Sequence, residues 1–396
     1  MEDRFQELKK HLARVADLRY AASVLGWDQR TMMPPGGAQA RADQVGTLRG
    51  LAHRLFTDEQ VGKLLHELAG YLDELHHDSD EASIIRVQLR EYERQSRVPN
   101  ELVTAMARVG ALARQAWIEA RAGNDFSRFE PLLSETVDLQ IQYAECFDPP
   151  TNIYDPLLDK FEPGLDYAQI EAVFVALKPA LIELVQAIAS NQDAVDARLL
   201  NRPVDAERQM AFSRLVVSEL GYDFERGRLD LTEHPFTTRF SIDDVRITTR
   251  IMQDNCLKAL MSSIHEAGHG MHSQNTSPTL YRTGLDQGVM MVISESQSRL
   301  YENNLGHSRP FWTYFFPKLQ EHFAPQFDDV DSEAFYRAIN RSQPSPIRVE
   351  ADEVTYGLHI ILRFELENDL INGRVKVADL PTTWNERMEA YLGVVP

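Results

Sequence analysis

The spacing of apolar residues is the feature that most restricts the fold of this chain. From Met1 to about Tyr222, apolar side chains recur every three or four residues, as at Phe5, Leu8 and Leu12. This spacing is typical of amphipathic helices. Turn-forming residues interrupt it at four places, namely 33–37, 98–100, 148–150 and 162–164. The first half of the chain is therefore predicted to consist of long helices joined by loops.

The pattern changes between about Leu229 and Arg250. Residues 236–240 and 245–249 carry β-branched and aromatic side chains around a Ser/Asp turn, which predicts a small hairpin or a three-stranded sheet. Helical spacing then returns, and further helices are expected at about 254–272, 288–304, 331–341, 350–372 and 381–392. The fold class predicted from the residues is thus all-α with a small β-sheet.

Length and composition favour a single unit. A chain of 396 residues with 43% hydrophobic content can bury one large core or two smaller ones. Its sequence shows no flexible linker, low-complexity tract or internal repeat. We therefore expect one unit over 1–396, with a helical N-terminal lobe over 1–225. The lobe over 226–396 would hold the sheet and the motif described below.

Charge and cysteine content restrict the partners and the compartment. The net charge of −19 disfavours nucleic acid and anionic membranes as partners. The start of the chain lacks the basic and apolar regions of a secretory signal, and no stretch approaches the roughly 18 apolar residues of a membrane span. Two cysteines, Cys146 and Cys256, suit a reducing compartment. A cytoplasmic protein without nucleic-acid or membrane partners is expected.

The strongest chemical signal is the sequence His265-Glu266-Ala267-Gly268-His269. On a helix the two histidines lie one turn apart on one face, where both imidazoles can bind one metal ion. The intervening Glu266 can then take a proton from metal-activated water and pass it to a leaving amine. The alternative is a helix whose histidines are exposed or bonded to carbonyl groups.

A catalytic zinc site needs a third protein ligand and one open position. Glu295 is the best candidate, because it occupies an otherwise apolar stretch of the following helix, where an unpaired carboxylate would be costly to bury. Its alternative role is an ion pair with Arg299, one turn further on.

The sequence resembles a known family, the thermostable metallocarboxypeptidases of the Taq carboxypeptidase type, family thirty-two of the metallopeptidases. Similar segments occur in the family's order along nearly the whole chain, at 25–37, 41–44, 124–126, 154–155, 161–164, 234–236, 244–248, 263–269 and 347–352. Among them are His-Pro-Phe at 234–236, Asp-Val-Arg-Ile-Thr at 244–248 and Ile-Arg-Val-Glu-Ala-Asp at 347–352. Several ordered motifs are more specific than the metal-binding motif alone.

The resemblance implies a zincin-like metallopeptidase whose small sheet lies beside the active-site cleft. His265, His269 and Glu295 would bind one divalent metal ion, zinc or alternatively cobalt or manganese, and Glu266 would be the general base. The reaction implied is release of amino acids from the free C-termini of peptides, by a homodimeric enzyme. Residues 226–396 would be its catalytic lobe.

The resemblance also implies substrate-binding residues. Arg348 would bind the terminal carboxylate of the peptide, and an arginine suits this role because its guanidinium is planar, bidentate and permanently charged. Arg246 is the next candidate. The alternatives are ion pairs with Asp352 and Asp244, respectively. His234 is expected either to line the cleft or to be a turn residue before proline.

The chain departs from the family pattern in two places. Ser294 stands where family members usually have a histidine before the metal-binding glutamate, which predicts weakened metal affinity or activity. The family's C-terminal segment, which contains a Gly-x-x-Gln-Asp-x-His-Trp motif, is also absent from this sequence. Two other hypotheses therefore stay open: a catalytically impaired metal-binding homologue that acts as a structural or dimer partner, and an oligopeptidase that cuts internal bonds.

Overall fold

The computed structural model describes residues 1–148, 151–287, 290–348 and 351–396. Its helices, in chain order, are α1 (Glu2–Thr31), α2 (Ala38–Phe56), α3 (Glu59–Ala69), α4 (Asp80–Arg97), α5 (Asn100–Gly123), α6 (Glu130–Glu145), α7 (Asp155–Asp159), α8 (Tyr167–Ala189), α9 (Ala206–Leu220), α10 (Cys256–Gln274), α11 (Met291–Arg299), α12 (Arg309–Phe323), α13 (Ser332–Ile339), α14 (Glu353–Ile371) and α15 (Leu380–Leu392). A π-helical turn, Leu300–Leu305, directly follows α11. The predicted all-α class is confirmed. Gly288 and Glu350, where two helices were expected to begin, lie outside the described residues, as do Pro149 and Pro150.

The predicted small sheet is also confirmed. Its strands are β1 (Gly227–Leu231), β2 (Thr237–Ser241) and β3 (Asp244–Thr249), in the spatial order β1-β3-β2. The central strand β3 pairs antiparallel with β2 and parallel with β1. This order leaves β2 at one edge of the sheet, where it contacts α10.

Contacts group the chain into two compact units. The first unit comprises Met1–Gln95 and Asp196–Ile339, and the second comprises Ser96–Val195 and Asn340–Pro396. Each unit combines an early with a late part of the chain. The division into lobes 1–225 and 226–396 stays a prediction, and these units cross its boundary.

The first unit contains the sheet and α10, and a large aromatic cluster holds them in place. Phe212 of α9 and Phe323 of α12 are fully buried in this cluster, and Ile264 and Ala267 of α10 belong to it as well. A separate apolar cluster joins α1 to α4. Helix α10 packs against α9, α11 and β3. These three contacts restrict the orientation of the helix and of most of its side chains.

The second unit is built around α14. Apolar side chains of α14 pack against α8 and α15, with Leu358, Ile361 and Val185 fully buried. A bond of 2.6 Å from Lys178 Nζ to Glu365 Oε1 adds a polar link between α8 and α14. Most of α8 nevertheless faces outward.

The apolar character of α8 corrects the expectation that no stretch of the sequence approaches a membrane span. A window of 18 residues within α8 has a mean hydropathy of 1.8. By length and composition alone, this helix is therefore long and apolar enough to cross a membrane. Only 6% of the window is buried. Glu171, Lys178 and Glu183 interrupt the apolar run, so an uninterrupted stretch is absent although the average stays high. Val173, Val175 and several neighbours are exposed.

A close approach of two helices fixes the position of α11. A Cβ atom added at Gly268 of α10 would lie 2.8 Å from the Cα atom of Ser298 and 2.9 Å from the carbonyl oxygen of Gln297. Real Cβ atoms do not approach backbone atoms this closely. A glycine is therefore required at this position for the observed distance between α10 and α11.

We expect Gly268→Ala to destabilise the protein by about 1–3 kcal/mol, because the added methyl group must push two backbones apart. Gly46→Ala is the matched control: Gly46 lies inside α2 with nothing within 4 Å of its added Cβ, and alanine there should stabilise by about 0.5–1 kcal/mol. Chemical denaturation of both variants measures the effect. Equal changes in the two variants would contradict the close approach.

The buried histidine of α14 generates a pH-dependent prediction. His359 is 1% exposed, and neither ring nitrogen has a hydrogen-bond partner among the described residues. Burial is the largest cause that lowers the pKa of His359, and the nearby Arg348 cation acts in the same direction, against the opposing effects of the Ser345 backbone and of Asp352. The unfolded chain therefore takes up a proton near pH 6.5, where the folded chain does not.

Stability that is present above about pH 6.5 should be lost as the pH falls through the lowered pKa of His359. The His359→Leu variant lacks this contribution, so its stability relative to the native protein should rise between pH 7.5 and pH 5. Denaturation curves at several pH values measure the difference. The exposed His77, replaced in the same way, is the control, and a difference that stays constant with pH would refute the prediction.

Candidate metal centre

Helix α10 places two histidines on one face. The Asn255 side chain caps the helix by accepting a bond from the Leu257 amide at 3.2 Å, and the helix continues without interruption through both histidines. The rings of His265 and His269 have their centroids 5.0 Å apart and are nearly perpendicular. Both side chains are largely buried.

Glu295 of α11 meets these histidines from the opposite side. Its Oε2 atom lies 3.7 Å from Nε2 of His265 and 3.7 Å from Nε2 of His269. Ser298 donates to the same oxygen at 2.9 Å and so restricts the carboxylate. The Glu295 side chain is 50% exposed, which leaves one side of the cluster open. Arg299, the alternative partner considered for Glu295, donates instead to Glu302 at 3.1 Å.

The outer nitrogens of both rings have their own partners. Nδ1 of His265 lies 2.8 Å from a carboxylate oxygen of Glu302, and Nδ1 of His269 lies 3.0 Å from the hydroxyl of Ser294. Each ring therefore directs Nε2 toward Glu295. Ser294 contacts His269 although it departs from the family pattern.

This donor set fits a divalent metal ion. Among the described residues, His265, His269 and Glu295 offer ligand atoms that all lie within 4.8 Å of one another. Two ligands of a tetrahedral zinc ion lie about 3.3–3.4 Å apart, given bond lengths of about 2.0–2.1 Å. The observed separations of 3.7 Å between nitrogen and oxygen require only small movements to reach that value.

Glu266 lies beside this cluster and is buried, with 6% of its surface exposed. The Thr237 hydroxyl of β2 lies 2.6 Å from its Oε2 atom and 2.9 Å from its backbone carbonyl oxygen. Burial raises the pKa of Glu266 to about 7, against the opposing effects of the Thr237 bond and of His265. A carboxylate in this state can both accept and release a proton near neutral pH.

The histidines differ in their electrostatic surroundings. Burial alone would lower the pKa of His265, but the bond and charge of Glu302 raise it above the ordinary value. Burial lowers the pKa of His269, which lacks a bonded carboxylate. Burial alone would raise the pKa of Glu302, but the hydrogen bond from His265 lowers it below the ordinary value.

Two other predicted site residues lie near the sheet. Arg246 donates both to Oδ1 and to Oδ2 of Asp244, at 2.8 and 2.9 Å, which is the ion pair left open by the sequence. Its guanidinium also lies over the rings of Trp27 and Phe240, at 4.6 and 4.8 Å. His234 is exposed in the segment between β1 and β2.

Arg348 belongs to the second unit. It donates to the Tyr356 hydroxyl at 3.1 Å. Asp352, its alternative ion-pair partner, caps α14 by accepting bonds from the Val354 and Thr355 amides at 2.9 and 3.1 Å. The Asp352 carboxylate therefore serves the helix terminus.

Sequence reasoning missed three residues of the centre: Thr237, Ser298 and Glu302. Glu302 follows Glu295 by seven residues, a spacing that returns to the same helix face after two turns, so this signal was present. Ser298 lies one turn after Glu295. No spacing in the sequence could have found Thr237, because its contact depends on which strand forms the sheet edge beside α10.

Comparisons with known proteins agree with this geometry. A model of the Carboxypeptidase Taq (M32) metallopeptidase family matches residues 7–396. Carboxypeptidase 1 of Bacillus subtilis is 37% identical over 97% of this chain and 76% of its own length, and Thermostable carboxypeptidase 1 of Thermus thermophilus is 38% identical over 100% and 79%.

Solved structures give the same result. The M32 carboxypeptidase of Deinococcus radiodurans has a TM-score of 0.92 at 38% identity, covering 100% of this chain and 78% of that one. A Pyrococcus furiosus carboxypeptidase has a TM-score of 0.94 at 33% identity, covering 100% and 79%. This chain therefore belongs to the Carboxypeptidase Taq (M32) metallopeptidase family.

Proposed function

We propose that this protein is a zinc-dependent carboxypeptidase that releases amino acids from peptide C-termini. His265, His269 and Glu295 are the proposed metal ligands, and Glu266 is the proposed general base. The observation that carries the proposal is the convergence of two Nε2 atoms and one carboxylate oxygen, with the Glu295 side chain half exposed. Cobalt or manganese would suit the same donors, since such sites accept several divalent ions.

When bound, a divalent ion supplies Lewis acidity, which lowers the pKa of water toward neutrality and polarises a carbonyl group. Glu266 takes the proton from the attacking water and gives it to the leaving amine. Burial raises the pKa of this carboxylate, which favours release of the proton to the amine, and a bound cation would act in the opposite direction. The bond from Thr237 holds one carboxylate oxygen of Glu266 in place. The orientation of the carboxylate is therefore fixed during both proton transfers.

Arg348 is the proposed binding residue for the terminal carboxylate of the peptide. A carboxypeptidase needs a fixed cation that recognises a free C-terminus, and the guanidinium can form two parallel bonds to a carboxylate. Two observations support this role. Asp352 is engaged in capping α14, and the bond described for the Arg348 side chain is to a neutral hydroxyl.

The remaining proposals concern location and partners. The net charge of −19 supports the absence of nucleic-acid partners, and two cysteines in 396 residues support a cytoplasmic location. A homodimer is proposed by analogy with the family. The same negative charge is the reason to propose that the protein does not bind membranes. A membrane-binding assay tests this proposal, and the exposed apolar helix α8 is the segment most able to contradict it.

Glu266→Gln should reduce hydrolysis of a blocked dipeptide by about 10²–10⁴-fold, because the amide cannot accept the proton. Zinc content, measured by elemental analysis after reconstitution, should stay near that of the native protein. His265→Ala is the comparison variant and should lose zinc as well as activity. Unchanged hydrolysis in Glu266→Gln would reveal a contaminating peptidase and favour a catalytically silent metal-binding protein.

Peptides with amidated C-termini should be rejected, because they cannot offer a carboxylate to Arg348. Arg348→Gln should lower kcat/KM for peptides with a free C-terminus by about 10- to 150-fold, which corresponds to the loss of one hydrogen bond to a charged group. Amidated peptides should stay poor substrates of this variant. Arg363→Gln, at an exposed arginine of the same helical unit, is the control and should behave as the native enzyme. Efficient cleavage of amidated peptides at internal bonds would favour an oligopeptidase.

A further inference from the structure

We propose that Glu302 is a positioning residue that fixes His265 for metal binding, and that Ser294 gives His269 a weaker, neutral support. This inference rests on the proposed metal centre and names residues outside its ligand set. It predicts that the two histidine ligands are held with unequal strength.

The bond between Glu302 and His265 selects one form of the imidazole. Its length of 2.8 Å is that of a charge-assisted hydrogen bond. A carboxylate can only accept, so the proton of the neutral ring must lie on Nδ1. The lone pair is then on Nε2, which faces Glu295 at 3.7 Å. Glu302 therefore prepares both the direction and the tautomer of this ligand.

A local change of helix type carries Glu302. The π-helical turn Leu300–Leu305 contacts α10 and is closed by a bond of 2.8 Å from the Gly306 amide to the Tyr301 carbonyl, five residues back. Such turns often occur at functional sites. Arg299 donates to the same Glu302 oxygen at 3.1 Å, which favours the ionised carboxylate.

Ser294 supports His269 in a different way. Its hydroxyl lies 3.0 Å from Nδ1 of His269, and a hydroxyl can either accept or donate. This contact restrains the ring without fixing which nitrogen carries the proton. Neutral bonds are also about half as strong as charge-assisted ones. Loss of Ser294 should therefore cost less metal affinity than loss of the Glu302 charge.

The test measures zinc affinity in the purified, metal-free protein by competition with a chromophoric chelator at one fixed pH. Glu302→Gln should weaken zinc binding by about 10- to 100-fold, and Ser294→Ala by less than about tenfold. Glu321→Gln, at an exposed glutamate of α12, is the matched control and should bind as the native protein does. Thermal melting of the metal-free proteins checks that each variant is folded.

The absorption spectrum of bound cobalt gives a readout that folding alone does not change. It should differ from the native spectrum in Glu302→Gln and stay close to it in Glu321→Gln. If Glu302→Gln does not fold, Glu302→Asp takes its place, because the shorter side chain cannot keep the 2.8 Å contact and a loss of about fivefold or more is expected.

The outcomes separate this inference from the proposed function. If the native protein binds neither zinc, cobalt nor manganese, the metal centre is overturned and the role of Glu302 with it. If the native protein binds zinc and Glu302→Gln binds it within twofold, the metal centre stands and the role of Glu302 is overturned. A loss in Ser294→Ala as large as that in Glu302→Gln would overturn the unequal support.

Discussion

The centre of this protein depends on how closely α10 and α11 approach each other. Gly268 provides the space for that approach, one residue before His269 and three after His265. The opposing segment supplies Glu295, and the π-helical turn after it supplies Glu302. One small residue in the motif thus sets the distance across which the two histidines contact Glu295, Glu302 and Ser294.

The electrostatic balance of the centre follows from the same packing. Three carboxylates, those of Glu266, Glu295 and Glu302, act on His265, and Glu295 also acts on His269. The negative charges of Glu295 and Glu302 help to raise the pKa of Glu266, after burial as the largest cause. A divalent cation would offset this repulsion, since a bound metal ion is usually the largest local charge in such a site.

Local patterns in the sequence were sufficient to predict where the helices and the small sheet occur along the chain. Apolar spacing predicted the helices, and β-branched residues predicted the small sheet, because both signals depend on neighbours along the chain. The spacing of His265 and His269 on one helix face is of the same kind. The strand order β1-β3-β2 was not predictable, since it depends on contacts between residues distant in sequence.

The rest of the candidate site shows where sequence reasoning fails. Ser294 stands where family members usually have a histidine, and its hydroxyl lies 3.0 Å from Nδ1 of His269. The sequence could not predict this contact, because it depends on how closely α11 approaches α10. Thr237 contacts Glu266 only through the placement of an edge strand. The apolar character of α8 was underestimated because three charged residues interrupt it.

The π-helical turn also has a consequence for changes in chain length. It holds one residue more than an α-helical segment of similar axial length. Deletion of one residue between Glu295 and Glu302 could therefore be absorbed by a return to regular α-helix, with little change in how far the helix extends. Residues after the turn would keep their helix face, because the turn holds its extra residue within about the same rotation, whereas Glu302 inside the turn would lose its alignment with His265. The extra residue therefore determines the direction of side chains inside the turn, and neither the length of the helix nor the direction of the residues that follow it.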